Sequence, residues 1–401
     1  MKNRSSQRTI RFINTFTPVV PLYETIFPLL EECGWQPLSL ESRGIYRRKF
    51  ETRSINNSQE TVWVPAFLRY SKRWCALFFL LLAPFHLLFK PKTVNLFLTQ
   101  PPLFFILGAW ISRFTRVKYA IHIMDMHPEL LVHSGILNPK GILFRVFSRL
   151  AFNALRHAEL IIVIGRCMKQ RLVRKGLQPS KIRTIPNWGP HNIIPIGKKE
   201  NLFRQKYQLE RKFIILYSGN MGIPHEFATI LDVAQKCEHQ SDILFLFIGQ
   251  GAKRQEIERA IASGATNLLL MDFQPKSMLP YSLSAADVHF FSLRSGFEGL
   301  VVPSKFYGML ASGKPVIYEG VASGEVAQVL KESDTGKVIE PDNVEQLYEN
   351  IIYYYRNQSV ADQDGQRGYR TYVEKFKEST GAKAYVDALL RDTPGLIEAQ
   401  K

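Results

Sequence analysis

Short runs of β-branched and apolar residues alternate along almost the whole chain with longer stretches of helical spacing, and no other feature constrains the fold as tightly. The first runs are Thr9–Asn14, Pro37–Glu41, Val94–Leu98, Tyr119–Met124, Leu160–Ile164 and Ile182–Pro186. Helical candidates lie between them at Leu22–Cys33, Leu103–Phe114, Leu143–His157 and Met168–Lys175. Strands that alternate with helices predict a parallel sheet covered on both faces, because a parallel connection needs a crossover long enough to hold a helix.

A stretch rich in Pro, Asn and Gly, Ile185–Lys199, breaks this period, and the alternation restarts at Phe213–Ser218. Further strands are expected at Leu244–Ile248, Leu268–Met271, Val288–Ser292, Val316–Tyr318 and Val338–Glu340. The 401 residues suit two domains, at roughly 100 to 200 residues each. The expected fold is therefore α/β, with two doubly wound parallel-sheet domains over residues 1–198 and 199–376. Ligands of such sheets bind beyond the carboxyl ends of the strands, and two of them facing each other make a central cleft. Past residue 342 the spacing is helical, at Val344–Arg356, Gln363–Phe376 and Thr380–Arg391.

The net charge of +17 is unevenly spread. Residues 1–200 hold 30 Lys and Arg against 10 Asp and Glu, an excess of +20, and residues 201–401 hold 22 against 25, or −3. A basic face on one domain suits nucleic acid or an anionic membrane surface. Cys33, Cys75, Cys167 and Cys237 show no paired spacing, so neither a zinc site nor a disulfide framework is expected. The polar, basic Met1–Arg11 has no apolar run or cleavage site behind it, which predicts a protein of the cytoplasmic side. Trp74–Phe89 is apolar all round, with Arg69, Lys72 and Arg73 before it and Lys90 and Lys92 after. Sixteen helical residues reach about 24 Å, short of the roughly 30 Å hydrocarbon layer. An in-plane helix at a headgroup layer and a buried core helix both fit that pattern.

The segment Gly296–Gly320, GFEGLVVPSKFYGMLASGKPVIYEG, carries the most chemistry. It runs from a strand end through a Gly/Pro loop into a helix near Ser304, which is placed to cap it. A helix start is an anion site, and Lys305 in the first turn has the wrong charge for the helix but the right one for a phosphate. As a whole the segment resembles the nucleotide-diphosphate site of the family 4 glycosyltransferases. Its PSKxYG loop is especially similar to the bacterial branch that builds O-antigen, capsule and exopolysaccharide sugars, including fucosamine transferases. YSGNMG (Tyr217–Gly222) and IGQGAKRQEIE (Ile248–Glu258) look like the family's two glycine turns. TQPPLF (Thr99–Phe104), MDMHPE (Met124–Glu129) and RTIPNW (Arg183–Trp188) resemble its first-domain and linker motifs.

The resemblance implies the GT-B arrangement of two Rossmann-like domains, with the C-terminal helix 377–401 returning to the first. It implies donor contacts from Gly219, Asn220, Gly249, Gly251, Pro303, Ser304, Lys305, Phe306 and Tyr307. The family's two glutamates, eight positions apart, fall here on Leu300 and Gly308, so the ribose carboxylate must come from elsewhere. Glu325 is either that ligand or an ordinary acidic helix start, and Glu298 is the nearer alternative. Where relatives use an Arg and a Lys on the diphosphate, this chain has Asn220 and His225, and the cation duty passes to Lys305, helped by Arg294 or Lys253. Metal independence is expected, with no cofactor.

On the acceptor side, Asp125 is expected to hold the acceptor hydroxyl or take its proton, with His127 and Glu129 beside it. Turn or capping roles are their alternatives. Asp125 and Glu298 are the catalytic candidates. The implied activity is transfer, with retention, of a hexose or amino sugar from a UDP-linked donor to a polyprenyl-diphosphate-linked saccharide. That reaction belongs at the inner face of the membrane, through the basic first domain and residues 74–89. A nucleotide-sugar epimerase of the same shape and a basic nucleic-acid-binding protein are the competing readings. Apolar strands without interleaved aromatic and basic residues speak against nucleic acid.

Overall fold

The computed structural model describes residues 8–14, 21–42, 59–68, 71–89, 93–99, 101–190 and 192–391. Arg69, Lys90 and Lys92, and residues 392–401 of the C-terminal segment, lie outside these. The chain divides into two compact units, the first of residues 1–186, 299–301 and 379–401, and the second of 187–298 and 302–378.

The first unit is built on a seven-stranded sheet, ordered β3-β2-β1-β4-β5-β6-β7. Its strands are β1 (Arg8–Ile13), β2 (Trp35–Ser42), β3 (Gln59–Val62), β4 (Thr93–Leu98), β5 (Tyr119–Ile123), β6 (Leu160–Val163) and β7 (Ile182–Thr184), all pairing in parallel. The short polar edge strand β3 was not anticipated from the sequence. Between the strands run α1 (Pro21–Glu32), α2 (Lys72–Phe89), α3 (Phe104–Thr115), α4 (Glu129–His133), α5 (Ile142–His157) and α6 (Arg166–Arg174). β5 is buried along its whole length, as a strand covered on both faces must be.

Pro84 does not interrupt α2. Cys75, Phe79, Ala83 and Leu87 form a buried stripe at a spacing of four, while Trp74, Leu77, Leu81, Phe85 and Leu88 are exposed. The segment that reads as apolar all round is thus core on one side only. Among the described residues no helix is long and apolar enough to cross a membrane.

The second unit carries a six-stranded parallel sheet, ordered β10-β9-β8-β11-β12-β13. These strands are β8 (Phe213–Ser218), β9 (Ile243–Ile248), β10 (Leu268–Met271), β11 (Val288–Ser292), β12 (Val316–Glu319) and β13 (Gly336–Ile339). The helices are α7 (Leu202–Lys206), α8 (Ala228–Lys236), α9 (Arg254–Ala262), α10 (Leu279–Ser284), α11 (Lys305–Ala311), α12 (Glu325–Ser333), α13 (Val344–Arg356) and α14 (Gln358–Thr371), followed by a π turn at Tyr372–Phe376. Helix α15 (Glu378–Arg391) belongs to the first unit from Ser379 on, and its Tyr385 hydroxyl lies 3.0 Å from His122 Nδ1 of β5. His122 is core, as its position inside a strand implies.

One core cluster of the second unit joins Phe203, Ile214, Leu216, Leu244, Leu246 and Ile248. Beside it the buried guanidinium of Arg204 donates to the carbonyls of Ala285, Leu209 and Lys212 and, at 2.6 Å, to Asp287 Oδ2. The expected boundary at residue 198 moves to Pro186, because the Pro-rich stretch is bonded into the second unit. Gly189 N donates to Phe376 O, Tyr372 Oη donates to Pro190 O, and Ser284 Oγ donates to Ile194 O.

Candidate active site

In each sheet the strand order reverses once, between β1 and β4 and between β8 and β11. Loops at the carboxyl ends of such strand pairs diverge and leave a crevice for a ligand. In the second unit the loop after β8 and the loop after β9 touch through their backbones. Gly249 and Gly251 have φ of 151° and 150°. A Cβ on Gly249 would lie 1.9 Å from Gly219 O, and one on Gly251 2.4 Å from Met221 O. Any side chain would force the turns apart, so both positions need glycine. Met221 N donates to Gln250 O at 2.8 Å and Lys253 N to Met221 O at 3.0 Å, which fixes the pair.

Lys305 lies over these turns, with its Cε 3.2 Å from where a Cβ of Gly219 would stand. Its Nζ donates to Tyr217 Oη at 2.5 Å, to Asn220 O at 3.2 Å and to His225 Nε2 at 3.1 Å, and it sits 4.2 Å from the Tyr217 ring centroid. The His225 tautomer follows from its other nitrogen, since Nδ1 is 2.6 Å from the Ser292 carbonyl and must carry the proton. Burial, aided by the nearby Lys305 charge, lowers His225 to about 3 and keeps it neutral. All three hydrogen-bond partners of Lys305 are therefore uncharged, and burial lowers its ammonium to about 7. A cation held this way has a strong unmet demand for an anion.

The other expected cations are already matched. Glu226 lies 2.7 Å from Lys253 Nζ and 3.5 Å from Arg294 Nε. The expected Ser304 cap is absent: Ser304 already has helical dihedrals, φ −64° and ψ −22°, so its hydroxyl makes no capping bond. Phe306 and Tyr307 are core residues whose rings pack on Phe291 and Phe376, 6.1 and 4.8 Å between centroids, and they brace the loop from below. Pro303 accepts from Phe306 N and closes the turn into α11. Glu298 Oε2 accepts from Gly296 N at 2.7 Å. Its Cβ is 4.0 Å from where one on Gly324 would stand, and Glu325 heads α12 immediately after, buried.

In the first unit, the loop after β5 carries Asp125, His127 and Glu129, all lining a cavity of about 240 Å³. Its other walls come from α3, α5 and α6, including Phe105, Ser148, Phe152 and Leu172. His127 Nδ1, Glu129 Oε2 and Ser148 Oγ are buried without a hydrogen-bond partner, and Glu129 Oε1 accepts from Lys175. Burial raises Asp125 above the usual carboxylate range and lowers His127 to about 4, against the pull of Glu129. Buried polar atoms rarely go unpaired, and these three have hydrogen-bonding capacity left over beside one cavity. Groups so poised can hold hydroxyls and share protons with them. Sequence reasoning missed Ser148 and Lys175 here and the holding roles of Tyr217 and His225. Ser148 did leave a signal, as a lone hydroxyl on the buried Ala151/Leu155 face of α5.

The chain matches two family descriptions, "Glycosyl transferase 4-like domain" over residues 32–188 and "Glycosyl transferases group 1" over 198–371. It is 27% identical over 221 residues to the probable glycosyltransferase WbjE of Pseudomonas aeruginosa, 55% of each chain. It is 24% identical over 248 residues to WcaI of Escherichia coli, a putative colanic acid biosynthesis glycosyl transferase, covering 60% of this chain and 61% of that one. These matches span little more than half the length of the two relatives. Among solved structures it superposes on Anabaena HepE in complex with UDP at TM-score 0.71 and 14% identity, over 95% of this chain and 99% of that one. WaaG, a glycosyltransferase involved in lipopolysaccharide biosynthesis, superposes at TM-score 0.67 and 14% identity, over 95% and 100%. The two parallel sheets, the glycine turns and the two family matches together show that the chain belongs to the family 4 glycosyltransferases of GT-B fold.

Proposed function

We propose that the chain transfers a hexose or amino sugar, with retention, from a UDP-linked donor to a polyprenyl-diphosphate-linked saccharide. The step belongs to bacterial cell-surface polysaccharide synthesis of the lipopolysaccharide, capsule or exopolysaccharide kind. The observation that carries it is Lys305, a cation with three neutral partners over two interlocked glycine turns. A diphosphate supplies the charge that Lys305 lacks, and the developing charge on the leaving UDP is where such a donor is worth most. That HepE is solved with UDP and with UDP-glucose supports the choice of nucleotide.

In this reading Glu325 accepts from the ribose hydroxyls, with Glu298 beside it. Asp125 holds the acceptor hydroxyl and takes its proton, a role for which a carboxyl raised by burial is suited. Neutral His127 and Ser148 supply further hydrogen bonds to a saccharide. The reaction is read as one that runs without a metal, the cation duty at the diphosphate falling to Lys305. The enzyme works at the cytoplasmic membrane face, through its basic first domain and residues 74–89.

Thermal unfolding with UDP, GDP and CMP tests the donor. A nucleotide at 100 times its dissociation constant adds about 2.7 kcal/mol. Stabilisation by UDP that disappears in Lys305→Ala and Glu325→Ala is expected. No shift with any nucleotide overturns the reading. Full activity after EDTA is expected, and a strict Mg²⁺ requirement overturns the metal-free part.

A further inference from the structure

Among the described residues, four ionisable side chains border the cavity of the first unit: Asp125, His127, Glu129 and Lys175. The remaining lining, from β5 and helices α3, α5 and α6, is apolar or hydroxyl-bearing. Lys175 is therefore the single cation on this lining, set against two carboxylates. Burial already raises Asp125 and holds His127 neutral, so one uncompensated charge here is felt strongly by both.

Lys175 is held from both ends. It stands at the carboxyl end of α6, where its backbone N–H donates to Arg171 O and Leu172 O. Gly176, at φ 95°, then turns the chain, and Gly176 N and Leu177 N bond back to Val173 O and Leu172 O. The root of the side chain is thereby fixed. Its tip reaches Glu129, the first residue of α4 and 46 residues earlier, and so ties the loop after β5 to the end of α6. The Lys175 side chain is 37% exposed and Glu129 only 12%. An ammonium so open to water gains little from pairing, whereas a carboxylate so closely covered needs the counter-charge. Lys175 takes Oε1 alone. Glu129 Oε2 and His127 Nδ1 stay buried without hydrogen-bond partners, and the Glu129 charge acts on His127 against the effect of burial.

We infer that Lys175 is a positioning residue for the acceptor-side cluster: it anchors Glu129 through Oε1, leaves Oε2 to the cavity and cancels a charge that Asp125 and His127 would otherwise meet in full. Without the ammonium, the Glu129 charge makes it harder for Asp125 to lose a proton and easier for His127 to gain one, so both hold protons to higher pH. A carboxyl that keeps its proton cannot take one from an acceptor hydroxyl. Lys175 therefore keeps Asp125 available as a base near neutral pH. That purpose rests on the proposed function, but the electrostatic coupling does not.

NMR titration of the full chain, labelled with ¹³C in its histidine rings, tests the coupling, with the His127 signal identified by its loss in His127→Gln. In the parent His127 gains its proton only at about pH 4. In Lys175→Met, or in Lys175→Gln should the methionine variant not fold, that midpoint should rise by about one pH unit. Lys175→Arg keeps the charge and should titrate like the parent. Adding Glu129→Gln to Lys175→Met removes both charges and should cancel the rise. A His127 midpoint that stays in place while the urea midpoint falls makes Lys175 a brace between α4 and α6 only, and overturns the inference. So does a rise that persists in the double variant, because Glu129 is then not its source. The expected shifts in a chain that shows no thermal response to UDP would leave Lys175 in this role and remove the donor reading instead.

Discussion

The loops over the second sheet and the cavity over the first are built on opposite plans. Around the glycine turns of the second unit the side chains are held by one another. Tyr217, Asn220 and His225 hold Lys305, while Glu226 serves Lys253 and Arg294. In the first unit His127 Nδ1, Glu129 Oε2 and Ser148 Oγ end in a cavity unpaired. A site assembled by its own hydrogen bonds is rigid before its ligand arrives. A site with orphaned atoms is completed by its ligand, so its residues should matter for activity more than for stability.

The largest effect should come from the internally satisfied side. Arg204→Met leaves Asp287 buried without its guanidinium, which costs about 3–5 kcal/mol and is read by urea unfolding. A loss under about 1 kcal/mol would mean that these bonds are replaceable by packing alone. Next, Gly249→Ala drives a methyl into Gly219 O at a dihedral that alanine avoids, about 3 kcal/mol by strain and overpacking together. The UDP-induced rise in unfolding temperature should vanish with it.

On the other side, Asp125→Asn should lower kcat about 100-fold, some 2.7 kcal/mol of transition-state stabilisation, with an unchanged urea midpoint. If instead the midpoint falls and activity survives, Asp125 is a turn residue and the contrast between the units fails. The smallest effect sharpens the picture of Lys305. Its folded value near 7 lies below the usual lysine value of about 10.5, so below pH 7 the folded state carries a cost that the unfolded state does not. Stability without nucleotide should rise with pH from about 7 to 10.5, and Lys305→Met should remove that slope. At pH 6 the variant should be the more stable of the two.

Much of this was legible because some requirements are written residue by residue. Backbone contact between the turns at Gly219 and Gly249 excludes every side chain, and the sequence records that as glycine. Strands such as Ile243–Ile248, apolar throughout, announce burial on both faces. Strand β3 was hidden because QETV is short and polar at a sheet edge, where no second neighbour imposes a pattern. The Ser304 cap failed because a serine before a helix specifies a cap only if its own backbone is extended. The hold on Lys305 could not be read, since Tyr217, His225 and Ser292 meet only when β8 and β11 are neighbours. The tie from Lys175 to Glu129 was equally hidden. The two lie 46 residues apart, and only the packing of α6 beside the loop after β5 brings them together.

The bond from Lys305 to a neutral His225 has one more consequence. Above pH 7 the empty site holds a large fraction of its lysine as free amine, and a bound diphosphate restores the ammonium. Nucleotide capture at pH 8 then draws close to one hydrogen ion from the buffer, and the heat recorded in a calorimeter includes that buffer's own ionisation. Titrations in Tris and in phosphate should differ in apparent enthalpy by nearly the difference between the two buffers, and should converge as the pH falls below 6.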